Sequence, residues 1–198
     1  MKVVGIDIGT TSVCGVLIDA TTGCVEKSVT KNSSAFIEGC ADWEKIQSVN
    51  KIMTVATDIL ESLIAASSEV GVIGVTGQMH GIVYTDKDGD AVSPLYTWQD
   101  GRGNLPYKDV TYAKYLNSFS GYGNVTDFYN TENGIKPESA QFTIILLCSS
   151  AGLKSRLFTQ VMRQVSVAMI WRTTDLTMPA QQRLREIIAL RASTREYP

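Results

Sequence analysis

Apolar and polar positions change their period several times along the chain. Val3–Asp7 is a short run rich in β-branched residues, and Ser12–Asp19 is another, with Gly9-Thr10-Thr11 between them. Two such runs joined by a short link containing glycine and threonine predict a β-hairpin. Ala20-Thr21-Thr22-Gly23 is a second turn signal, leading into a third strand across Cys24–Thr30. From Asp42 to Ala66 the pattern becomes helical. Ile46, Val49, Ile52, Met53, Ala56, Ile59, Leu60 and Leu63 recur at steps of three and four and make one apolar face, which Ser67-Ser68-Glu69 ends. Val70–Thr76 suits a buried strand, and Gly81–Thr85 predicts the next. Asp86-Lys87-Asp88-Gly89-Asp90, with its Asp-Gly pair, predicts a hairpin turn into Ala91–Leu95.

The predicted order is β-β-β-α-β-β, opening on antiparallel strands rather than on a βαβ unit. It resembles the ribonuclease-H-like (actin-like ATPase) class of α/β domains, with a mixed sheet, more than a dinucleotide-binding fold. Neither GxGxxG nor GxxxxGK[ST] occurs near the first strand, which argues against dinucleotide and P-loop sites.

Composition narrows the function classes. A hydrophobic fraction of 44% and a charged fraction of 19% are those of a folded domain. A net charge of −2 gives no electrostatic reason to expect nucleic acid or an anionic membrane as partner. No apolar run approaches the ~18–20 residues that span a bilayer, and Met1–Asp7 meets a carboxylate too early for a signal peptide. Cys14, Cys24, Cys40 and Cys148 are scattered without paired spacing, so free thiols and a cytoplasmic location are expected.

Charge divides the chain. Residues 1–140 carry 10 basic and 17 acidic side chains, whereas residues 141–198 carry 8 basic and 3 acidic. Seven of the eight arginines lie after residue 141, and Gly152 is the one glycine of sixteen that does. The expected division is a domain over 1–140 and a basic tail over 141–198. Within that tail, Pro179–Ala192 has a helical face of Leu184, Ile187, Ile188 and Arg191.

Three segments carry candidate chemistry. In Gly5-Ile6-Asp7-Ile8-Gly9-Thr10-Thr11-Ser12, a tight hairpin at Gly9 lets backbone N–H groups approach an anion, and the hydroxyls of Thr10, Thr11 and Ser12 add donors. Asp7, at the strand end, suits a hydrated Mg²⁺ beside phosphates. The same residues also suit an ordinary hairpin. Gly77-Gln78-Met79-His80-Gly81 follows a buried strand and contains the only histidine. A lone histidine is more often structural than functional, but one at a strand end beside a glutamine amide can bond the hydroxyls of a polar ligand. In Trp98-Gln99-Asp100-Gly101-Arg102, an indole can stack on a sugar while carboxylate and guanidinium bind vicinal hydroxyls. Alone, a surface loop with a local Asp–Arg pair is the plainer reading of those five residues.

Together with Trp43-Glu44 before the helix, and in this order, the three segments resemble the FGGY carbohydrate kinases over residues 1–140. Gln78-Met79-His80-Gly81 is similar to xylulokinases and sedoheptulokinases, and Thr97–Arg102 followed by Gly121-Tyr122-Gly123-Asn124-Val125 leans toward the latter. The resemblance implies ATP and Mg²⁺ as cofactors and phosphorylation of a ketose hydroxyl. It implies that Asp7, Gly9, Thr10, Thr11 and Ser12 lie near phosphate and metal, and that Gln78, Met79, His80, Trp98, Asp100 and Arg102 lie toward the sugar. Members of the family add a second domain and an aspartate that takes the proton of the attacking hydroxyl. Asp175 is the one aspartate after residue 127, and its surroundings do not match that segment. The expected state of this polypeptide is therefore a truncated, inactive kinase domain, with no catalytic base assigned.

Read in a frame shifted one nucleotide upstream, with permitted synonymous codons, Leu153–Val167 can encode a segment similar to the one bearing that aspartate. Ile145–Gly152 can likewise encode one similar to the preceding helix, which makes the tail an out-of-frame product on this reading. A non-catalytic sugar- or phosphate-binding module and a sugar-independent actin-like ATPase are the alternatives.

Overall fold

The computed structural model describes residues 1–38 and 41–145. Strands β1 (Lys2–Ile8) and β2 (Ser12–Asp19) form the opening antiparallel hairpin, with Ile8 opposite Val13 and Lys2 opposite Asp19. The second turn is built by Asp19, whose Oδ1 accepts from the N–H groups of Thr21 (2.7 Å) and Thr22 (3.1 Å). Gly23 closes it at φ +75°, a conformation that costs glycine little. Strand β3 (Val25–Asn32) then returns antiparallel to β2.

The helix is shorter than its apolar period suggests. Ile46–Gln47 forms strand β4, and helix α1 runs from Val49 to Ile64 rather than from Asp42. Ser48 sets the start: its backbone is extended and its hydroxyl accepts from the Lys51 N–H at 3.3 Å. Ile46 lies in phase with the helical face, but it pairs with a later strand instead.

Helix α1 crosses over and delivers β5 (Val70–Gly77) parallel to β1, as a connection of this length and kind requires. The first sheet is therefore mixed, in the order β3-β2-β1-β5. On one of its faces Val4, Ile6, Val13, Leu17 and Ile73 bury against Ala56, Ile59, Leu60 and Leu63 of α1, while Ile52 packs with Ala35 and Leu95. Burying each large aliphatic side chain here contributes about 1.5–3 kcal/mol. Gly15 lets the helix sit close, since a Cβ there would lie 2.5 Å from Ile59 Cγ2 and 2.7 Å from Leu63 Cδ1.

The second half begins with β6 (Ile82–Thr85) and β7 (Leu95–Tyr96). The expected strand over Ala91–Leu95 is reduced to a single bridge between Ala91 and Thr85, followed by β7. Ser93 interrupts the run, because its hydroxyl accepts from the Tyr84 N–H at 2.9 Å and so takes a strand donor for itself. A short hairpin of β8 (Pro106–Tyr107) and β9 (Val110–Thr111) leads to α2 (Tyr112–Tyr115), α3 (Gly123–Glu132) and β10 (Phe142–Ile145). The second sheet has the order β10-β6-β7-β4, and β10 continues its pairing past residue 141.

Cys40, Cys148, Asp175, the expected helix Pro179–Ala192 and the tail beyond residue 145 lie outside the described residues. Among the described residues, no helix is long and apolar enough to cross a membrane. The architecture is α/β with a mixed sheet, as the sequence predicts.

Candidate functional site

The site forms where the carboxyl ends of β1 and β5 lie side by side, the edge at which open α/β sheets receive ligands. Asp7 lies one residue before the end of β1 on the face away from α1, exposed, with Cys14 and Thr76 as its cross-strand neighbours. The hairpin tip follows. Gly9 is needed by close approach, because a Cβ there would meet Ser12 O at 2.9 Å. Its own N–H donates to that same oxygen at 2.9 Å, so Gly9 shapes the tip and is not itself a donor facing outward. Thr11 is exposed and Ser12 half-buried.

Strand β5 leads directly to Gln78, whose N–H donates to Ile8 O at 2.9 Å and holds the two strand ends together. The Gln78 side chain joins a ring of hydrogen bonds. Thr10 Oγ1 donates to Gln78 Oε1 (3.2 Å), Gln78 Nε2 donates to Gln47 Oε1 (2.9 Å), and Gln47 Nε2 donates to Thr10 O. Trp98 enters from the far loop, its indole N–H donating to Thr10 Oγ1 at 3.0 Å. The structure thus brings together Thr10, Gln78 and Trp98, which lie 88 residues apart at the extremes. Met79 and Trp98 are each 48% exposed and offer apolar surface beside these polar atoms.

His80 occupies the left-handed region at φ +67°. Its imidazole stacks on the ring of Tyr122, with centroids 4.4 Å apart and planes 3° from parallel.

Asp100 and Arg102 are placed differently from the expectation that they bind sugar hydroxyls. Both are buried, at 1% and 0% exposure. Asp100 Oδ1 accepts from Arg102 Nε (2.6 Å) and Arg102 N (3.1 Å), while Oδ2 accepts from Arg102 Nη2 (3.1 Å) and Lys45 N (3.1 Å). Arg102 Nη1 donates to Asn130 Oδ1, Nη2 lies 3.7 Å from Glu44, and the guanidinium sits over Tyr96 at 4.3 Å. Burial pushes the Tyr96 phenol above its ordinary value of 10, while the Arg102 charge works against that rise. In this arrangement the polar atoms of the Asp–Arg pair fasten the loop to β7 and α3, because a buried ion pair persists only when its remaining groups are bonded.

Two residues of the site carry no flag in the sequence reading. Gln47 is fully buried and closes the hydrogen-bonded ring, but it falls in a stretch whose apolar period reads as helix. A polar residue between Ile46 and the Ser48 cap is the signal that marks it. Tyr122 belongs to a segment used only as a family pointer, and nothing local in Gly121-Tyr122-Gly123 announces its partner.

Among the described residues, no group of three or more histidine, cysteine, aspartate and glutamate side chains is placed to hold a metal ion. Mg²⁺ does not need such a cage, since it keeps several waters and takes one or two carboxylates together with phosphate oxygens. A single exposed carboxylate, Asp7, beside a hydroxyl-rich hairpin is a donor set of that kind.

Comparison with known proteins bears on the fold and the family. A xyloylose kinase from Brucella ovis superposes with a TM-score of 0.63 at 20% identity, over 74% of this chain and 32% of its own length. A gluconate kinase from Lactobacillus acidophilus gives 0.64 at 18% identity, over 80% of this chain and 32% of its own. A ligand-bound xylulose kinase from the same organism gives 0.63 at 15% identity, over 95% and 45%. At these identities the likeness is one of fold, and the chain spans less than half the length of each. No curated protein matches the chain. The sequence model described as the N-terminal domain of the FGGY family of carbohydrate kinases matches residues 2–130. That match covers well over half of the chain, which therefore belongs to the FGGY family of carbohydrate kinases.

Proposed function

We propose that this chain forms one wall of a cleft for ATP-dependent phosphorylation of a sugar, a ketose such as xylulose or sedoheptulose. The observation that carries the reading is the hydrogen-bonded ring tying the Thr10 hairpin to Gln78 and Trp98, because phosphoryl transfer needs phosphate and acceptor hydroxyl held within reach of each other. On the phosphate side, Asp7 would hold a hydrated Mg²⁺, with Thr10, Thr11 and Ser12 as hydroxyl donors around Gly9. The metal's chemistry there is neutralisation of phosphate charge. On the sugar side, Gln78 and His80 would bond hydroxyls while Met79 and Trp98 cover the apolar face of the ligand. Asp100 and Arg102 support this wall from behind by fixing the loop that bears Trp98.

Phosphoryl transfer requires a proton acceptor for the attacking hydroxyl, and none of the residues placed around the Thr10 hairpin, Gln78 and Trp98 is assigned that role. Residues 1–198 tested alone are expected to bind sugar without turnover. Calorimetry with xylulose and sedoheptulose, followed by a phosphorylation assay with MgATP, tests this. Millimolar binding of a ketose without sugar phosphate formation is the expected result. Nucleotide hydrolysis that proceeds without any sugar would point instead to an ATPase.

A further inference from the structure

The backbone at His80 is held in a conformation that a non-glycine residue adopts only when its surroundings impose it. Two close approaches lie beside it. A Cβ on Gly81 would lie 2.6 Å from Tyr96 O, and a Cβ on Gly121, at φ +82°, would lie 1.8 Å from Trp98 O. The second approach seats the 121–122 segment against the Trp98 loop and brings Tyr122 onto the imidazole. The two rings are parallel to within 3° at 4.4 Å. Tyr122 is itself 38% exposed and is flanked by Phe119 at 5.4 Å, so it is not a core residue whose work is area burial. Contact through the ring faces leaves both imidazole nitrogens at the ring edge, where they can meet hydrogen-bond partners lying in the ring plane.

We propose that Tyr122 is a positioning residue that locks the His80 imidazole in one plane, so that its edge nitrogens are offered to a ketose hydroxyl in a fixed direction. The inference rests on the sugar-facing reading of the Gln78–His80 loop and adds to it a residue from a segment some forty positions away. Stacking uses the aromatic face and not the phenol, so phenylalanine preserves the role and leucine does not.

His80 is the only histidine of the chain, so imidazole C–H signals in an NMR spectrum belong to it without assignment experiments. In the wild-type chain and in Tyr122→Phe these signals are expected upfield, shifted by the ring current of residue 122. In Tyr122→Leu they should return to the position of an exposed histidine, and affinity for xylulose or sedoheptulose should fall roughly 2- to 10-fold. Tyr122→Phe should keep that affinity within about twofold. A wild-type spectrum without the upfield shift overturns the inference and needs no variant. Unchanged ketose affinity in a folded Tyr122→Leu overturns the positioning role alone. A wild-type chain that binds neither ketose overturns the sugar-facing reading, and the positioning role with it.

Discussion

The two halves of the described molecule differ in what they bury beside their apolar cores, although both reach the same edge of the fold. In the first, β1, β2, β3 and β5 lie on α1, and the contacts between Val4, Leu17, Ile59, Leu63 and Ile73 are wholly apolar. In the second, apolar and aromatic clusters around Tyr84 and Val125 are joined by the fully buried polar groups of Arg102 and Asn130, beside Asp100 at 1% exposure. Apolar burial is non-directional and tolerates adjustment. A buried guanidinium bonded to Asp100 and Asn130 and lying over Tyr96 has one workable geometry. The first half supplies the hairpin of Thr10, and the second supplies Trp98 and Tyr122. Placement of the Trp98 and Tyr122 segments is thus tied to the half that adds directional buried bonds to its apolar contacts.

The strongest attempt to break this contrast is Arg102→Met. It leaves the Asp100 carboxylate buried without its counter-charge, and the expected loss is about 3–5 kcal/mol in urea denaturation. Removing Asp100 as well should recover part of that loss, since the stranded charge goes with it. A smaller effect is expected from Leu63→Ala, which removes fully buried aliphatic carbons from the α1 interface. About 3 kcal/mol is expected by the same measurement, with the Trp98 fluorescence environment unchanged. If Leu63→Ala proved costlier than Arg102→Met, the second half would not depend on its polar network in the way described.

The smallest effect concerns the rim of the first sheet. A hydrogen bond from Lys2, then those from the Thr22 and Thr21 N–H groups, hold the Asp19 carboxyl well below its ordinary value of 3.8. A group with a depressed folded value contributes stability that is full above its unfolded value and is lost as pH falls below it. Thermal unfolding followed from pH 5 downward should show Asp19→Asn converging on wild type below about pH 3.8, with solvent screening at the rim of the sheet keeping the difference small. A gap that widens on acidification would contradict the assignment.

The first half was legible in the sequence because its signals are local. Gly9-Thr10-Thr11 and Thr22-Gly23 are turn residues between period-2 runs, and the structure places hairpins at both. The helix boundary is not legible in the period, because Ile46 is in phase with Val49 and Ile52, and periodicity cannot tell a helical residue from a strand residue at the same angle. The second half was less legible. Trp98–Arg102 taken alone reads more plainly as a surface loop with a local Asp–Arg pair, and its burial depends on Asn130 and Lys45, which are distant in sequence, as well as on nearby Tyr96. Gln47 and Tyr122 act through partners 31 and 42 positions away, a separation that no local pattern encodes.

The hydrogen-bonded ring around Thr10 has a polarity. A hydroxyl has a single proton to give; with Trp98 donating to it, Thr10 Oγ1 gives that proton to Gln78. Each glutamine amide then has its oxygen on one neighbour and its nitrogen on the next. Turning the Gln47 amide over would set oxygen against Thr10 O and nitrogen against Gln78 Nε2. Turning Gln78 over would set its oxygen against Gln47 Oε1 and its N–H groups against a Thr10 hydroxyl that already accepts from Trp98. Neither amide can reorient by itself, so three segments distant along the chain must shift as one piece or not at all.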